Sequence, residues 1–156
     1  MPRIRKVELI AEYFIRKSIT EKKPITNKKL QKLLYYSQAW SLVFLDKKLF
    51  NERIEAWLHG PAIPCIYHKY KSFGYNSIKK NTTLRISDLI SDAKVNKFLD
   101  NVWKIYGKFD ANYLEILSHK EKPWQLAREG VDEFNPSNKE ITIKSMKDFY
   151  SELLRR

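Results

Sequence analysis

At 156 residues the chain has room for one domain with a real core and little room for two. An apolar share of 43%, with 13% aromatic and four glycines, excludes a disordered or low-complexity protein. Thirty basic residues against eighteen acidic ones give +12, a charge that attracts nucleic acid, an acidic protein or simply solvent.

That charge is uneven: 12 basic and 4 acidic side chains in residues 1–50, 8 and 5 in 51–100, 10 and 9 in 101–156. Cys65 is the sole cysteine, so no internal disulfide is expected. Glu8, Glu12 and Arg16 interrupt the first hydrophobic region, which argues against a secretory leader. The longest apolar stretch, Ala39 to Leu45, is far too short to span a membrane. A reducing, cytoplasmic setting is the expectation.

In chain order, residues 4–18 read as a helix, with Val7, Ile10, Ala11 and Phe14 at i, i+3, i+4 and i+7. After a loop at Lys22–Ile25, Thr26 is placed to cap a second helix, about 27–45, with Ile25 and Leu30 as its hydrophobic staple. From Leu33 onward this helix is apolar nearly all round, which marks it as the buried centre. Its basic start (Lys28, Lys29, Lys32) reads as a solvated helix end. Leu49-Phe50 and Arg53–Trp57 are expected to form a short hairpin around Asn51-Glu52, with a third strand weakly signalled near Thr83–Ile86.

Pro64 suits the first turn of a helix running to about Phe73 and ended by Gly74. Tyr75–Thr83 reads as a surface loop. Ser91 is placed to cap the next helix, whose Val95, Phe98, Leu99, Val102, Trp103 and Tyr106 keep the helical period until Gly107. Asp110 then caps a short helix through Leu117. Ser118-His-Lys-Glu121 has the form of a capping box for a helical segment opened by Pro123-Trp124. Val131–Glu140 reads as a polar loop, and Ile143, Met146, Phe149, Tyr150 and Leu153 mark a final amphipathic helix. The expected fold is mainly α: one compact domain, residues 5–155, around the central helix, with a small hairpin or short sheet.

The tract Trp57-Leu-His-Gly-Pro61 carries the densest specialised chemistry. Gly60 frees the backbone for a positive φ, and Pro61 holds Gly60 away from the right-handed helix. Trp57 and His59 are then presented from a turn of defined shape. His59, His68, His119, Cys65, Glu55 and Glu121 lack the spacing of a metal site or a nucleophilic triad, so no metal, cofactor or catalytic residue is expected. The first two helices do not form a DNA-reading pair, because the second is hydrophobic through its middle.

Lys29-Leu-Gln-Lys-Leu-Leu-Tyr-Tyr-Ser-Gln-Ala-Trp40, Leu49-Phe50, Ile54–Trp57, His59-Gly-Pro61, Pro64 and Tyr67–Tyr70 together resemble the SocA-like Panacea domain family. Leu114, Leu117-Ser-His119, Glu121, Pro123-Trp124 and Ala127-Arg128 follow in the same order, as does the final helix, so the resemblance covers roughly residues 5–150. It implies an antitoxin, also described as a phage-associated protein, that neutralises a toxin encoded nearby by direct protein contact and is not an enzyme. The expected contact residues are Trp57, His59, Gly60, Pro61, Tyr67, Tyr70, His119, Glu121, Pro123 and Trp124. Aromatics at fixed turns suit interface anchors. Two alternatives stay open: a nucleic-acid-binding regulator using the basic N-terminal half, and a hydrolase using His59, His119 and Glu121.

Overall fold

A computed structural model of the chain describes residues 4–79 and 90–156. Helix α1 (Lys6–Thr20) lays Val7, Ile10, Ala11 and Phe14 against the core, as its period requires. Helix α2 (Asn27–Phe44) starts at Thr26, whose hydroxyl accepts the Lys29 amide at 3.2 Å, and Ile25 and Leu30 close the staple with no exposure. Helices α4 (Ala93–Tyr106), α5 (Ala111–His119) and α7 (Ile143–Arg155) pack around α2 together with α1. Two single-turn helices, α3 (Pro64–Lys69) and α6 (Lys122–Ala127), complete the set.

The centre of α2 is buried on every side, so its polar side chains must find partners inside. Ser37 Oγ donates to the Leu33 carbonyl at 2.7 Å. Gln38 Nε2 donates to the Phe50 carbonyl, and its Oε1 accepts the Leu49 amide, both at 2.8 Å. Gln31 Oε1 accepts the Ile63 amide at 2.8 Å. Helix α2 therefore anchors the following segments through side chains as well as through packing.

That anchoring corrects the expected hairpin. Gln38 takes the amides of Leu49 and Phe50 and the Phe50 carbonyl, which a ladder across Asn51-Glu52 would need. Strand β1 (Ile54–Trp57) instead turns at Leu58-His59 and pairs antiparallel with β2 (Gly60–Ala62), Trp57 opposite Gly60. The third strand, β3 (Glu140–Ile141), pairs on the other side of β1 and starts at the last residue of what reads as a polar loop. The strand expected near Thr83–Ile86 lies outside the described residues.

Three helix boundaries also differ. Asp92, not Ser91, caps α4, because its carboxylate accepts the Lys94 and Val95 amides together. The helix from Pro64 stops at Lys69 and continues as a 3-10 turn (Lys71–Phe73) that Gly74 ends at φ 57°. Ser118 caps nothing: it lies inside α5, its hydroxyl bonded to the Glu115 carbonyl, and Glu121 holds the cap position of α6 without a side-chain cap bond.

Candidate functional site

The sheet and two short helices bring the two motif tracts together. Trp124 Nε1, on α6, donates to the Trp57 carbonyl at 2.9 Å, and Arg128 Nη1 donates to the neighbouring Ala56 carbonyl at 3.0 Å. Trp57 is half-buried, its indole N–H bonded to Glu55 at 2.8 Å and its ring edge-on to Tyr67 at 4.9 Å. His119 stacks flat on Trp124 at 3.9 Å. His59 projects from the tip of the turn, its side chain 73% exposed, with Nδ1 3.6 Å from Glu115.

Glu115, which the sequence did not single out, sits between these histidines. Burial pushes its carboxyl upward, but a bond and charge from Lys28 and the proximity of His59 and His119 outweigh that and hold it low. Burial lowers the pKa of His119; Glu115 opposes this, while Lys32, Arg128 and His59 add to it, so the ring is neutral near pH 7.

Of the ten residues expected to make contacts, Trp57, Tyr67, His119 and Trp124 are half-buried and His59 is exposed. Gly60, Pro61, Tyr70, Glu121 and Pro123 lie in the interior. Gly60 holds φ at +109°, as the Gly-Pro turn requires, and a Cβ there would stand 2.5 Å from Lys32 Cε. Tyr70 is 1% exposed and its phenol faces Glu12.

Glu121 shows the largest departure from the surface that the sequence implied. Its Oε1 accepts Tyr36 Oη at 2.6 Å and Tyr150 Oη at 3.0 Å, and Tyr150 is bonded in turn to Tyr35 at 2.9 Å. Tyr36 stacks on Tyr106 at 4.2 Å. Burial raises the Glu121 pKa, and the two phenols only partly offset it. It is a core acceptor and does not share a surface with His59 and His119.

Beside the turn lies a groove of about 860 Å³, walled by Trp57, Leu58 and Tyr67 and rimmed by Lys28, His59, Lys71 and the exposed Tyr75. Lys32 contributes to its lining, together with Asn27, Gln31 and the Pro136–Asn138 segment. The solvated reading of the helix start is overturned here, since Lys29 and Lys32 are both buried. Lys29 donates to the Gly107 carbonyl at 2.6 Å, and Lys32 to the Pro61 carbonyl at 3.2 Å. Both lysines precede the all-apolar stretch that begins at Leu33, so nothing in their local sequence marks them as interior.

Among the described residues, no three His, Cys, Asp or Glu side chains converge as metal ligands would. No described helix is long and apolar enough to cross a membrane. A family model for the antitoxin SocA-like Panacea domain matches residues 30–125, a span that holds α2 from Leu30 onward, the β1–β2 turn, the groove walls and Trp124. Antitoxin SocA of Caulobacter vibrioides (strain NA1000 / CB15N) is 30% identical over 116 residues, 69% of this chain and 62% of the relative. The chain thus spans less than two thirds of that relative's length. No solved structure matches it.

Proposed function

Because this chain belongs to the antitoxin SocA-like Panacea domain family, we propose that it neutralises a partner toxin by direct, non-enzymatic protein contact in the cytoplasm. The observation that carries the reading is the face where Trp57, His59, Tyr67, His119 and Trp124 meet. These side chains keep area open to a partner, while the strand that carries Trp57 is pinned at consecutive carbonyls by Trp124 and Arg128. Pre-fixed aromatic anchors bind with little ordering cost. The buried residues of the two motif tracts then serve as supports: Gly60 and Pro61 shape the turn, and Pro123 seats α6. Residues 5–155 act as one domain in this reading.

The hydrolase alternative loses its carboxylate, because Glu121 is committed to two phenols in the core. The nucleic-acid alternative loses part of its charge. Lys29 and Lys32 are inside, Lys28 pairs with Glu115, and Lys17 pairs with Asp100.

The deciding experiment expresses the neighbouring gene with and without this chain. Growth arrest by the neighbour, relieved on co-expression, with a complex that co-purifies, is the expected result. A harmless neighbour, or rescue without any complex, overturns the proposal.

A further inference from the structure

Lys32 is a buried cation without a carboxylate. It is 2% exposed, its ammonium carries three donors, and the Pro61 carbonyl is the one acceptor bonded to it among the described residues. The titratable groups around it are Lys28, Glu115 and the neutral ring of His119. Glu115 is already engaged by Lys28 and His59, so it does not serve Lys32 as a paired counter-ion. Burial, with some help from Lys28, pushes the Lys32 pKa down to about 7. An amine held this way costs stability unless something else uses it.

What surrounds the amine tells what that use is. None of the groove's lining residues is acidic, and three are lysines. Its walls are mostly apolar, and its volume is several times what a lone inorganic anion fills. A ligand that suits it has one carboxylate at depth and apolar groups on either side.

We infer that the groove receives an acidic segment of the partner protein, with an Asp or Glu side-chain carboxylate of that segment bonding to Lys32 Nζ and flanking apolar residues resting on Trp57 and Tyr67. This rests on the toxin-binding reading and names the chemistry of the surface that binds. The carboxylate supplies the missing counter-ion at a buried amine, where a charge-assisted bond is stronger than on an exposed one. Lys71 and His59 at the rim supply the longer-range attraction.

The test titrates the whole chain by calorimetry with a blocked peptide, acetyl-Leu-Glu-Leu-amide, and with its Gln counterpart. The Glu peptide is expected to bind at millimolar concentration and the Gln peptide not to bind. Lys32→Met should lower affinity at least about tenfold. Lys71→Glu, at an exposed site where folding is not at stake, should lower it about threefold. Wild-type affinity should fall roughly tenfold between about pH 7 and 8.5 as Lys32 loses its proton, and Lys32→Met should show no such fall. Equal binding of both peptides, unchanged affinity in Lys32→Met, no binding at all, or displacement of the peptide by inorganic phosphate alone each overturns the inference.

The co-expression assay separates the two levels. Full neutralisation by Lys32→Met overturns the groove as the toxin's seat and leaves the antitoxin reading standing. A wild-type chain that forms no complex overturns that reading, whereas peptide binding still reports on the groove.

Discussion

Helix α2 carries one buried ionisable group, Lys32, and faces another of opposite kind, Glu121, and the two are treated differently. Glu121 sits in a closed cluster where two phenols donate to a single oxygen and aromatic rings seal the rest. Lys32 lines an open groove with one carbonyl for three donors. The acid is satisfied by the chain's own tyrosines, and the base is left partly to whatever enters from outside. The closed, satisfied site serves the fold; the open one is where the inferred partner carboxylate would bind.

Removing Glu121 should give the largest effect. Glu121→Ala strands the Tyr36 hydroxyl, leaves Tyr150 with Tyr35 alone and opens a cavity, at a cost of about 3–5 kcal/mol by urea unfolding. A loss under about 1 kcal/mol would end the contrast. Glu121→Gln keeps an acceptor and should cost far less. Because the native pKa of Glu121 is raised, the folded chain holds its proton where the unfolded chain has lost it. Stability from this group is therefore present at low pH and declines as pH rises through the carboxylate range, and Glu121→Gln should flatten that decline.

Lys32 should behave in the opposite sense. With its native pKa near 7 and its unfolded value at 10.5, the unfolded chain binds the extra proton between those limits. Stability should rise with pH from about 7 until about 10, where unfolded tyrosines begin to ionise and buried Tyr36 and Tyr150 resist. Lys32→Met should remove the rise and gain about 1–3 kcal/mol at neutral pH. A destabilised Lys32→Met would mean that the amine is structural.

Gly60→Ala should follow, losing about 1–2 kcal/mol in thermal unfolding, from the positive φ and from crowding of the Lys32 stem. His59→Ala should be smallest, within about 0.5 kcal/mol of wild type, since the ring is mostly in solvent. Its effect should appear as weaker toxin binding in a pull-down.

What could be read in the chain beforehand divides along the same line. Periodicity and local capping located α1, α2, α4 and α7, because those signals sit within a few residues of what they specify. The hairpin was misplaced because Gln38, eleven residues before Leu49, competes for the same backbone groups. Ser118–Glu121 matches a capping box letter for letter, yet Glu121 is taken by Tyr36 and Tyr150, 85 and 29 residues away. Lys32 passed for a solvated helix end because nothing local tells which face the sheet will cover. The Gly-Pro turn was legible in full: a positive φ at Gly60 follows from the two residues alone.

The bonds from Trp124 and Arg128 have a consequence for how this protein folds. They grip consecutive carbonyls of β1, at Trp57 and Ala56. Slipping the strand by one residue would send the Trp57 ring to the opposite face of the sheet, and two donors at fixed spacing, one on a short helix and one at its C-terminal cap, allow a single alignment. Strands of four, three and two residues do not hold together on their own. The sheet should therefore assemble late, once the C-terminal third has docked, and a nascent chain still lacking Arg128 should expose an unformed binding face.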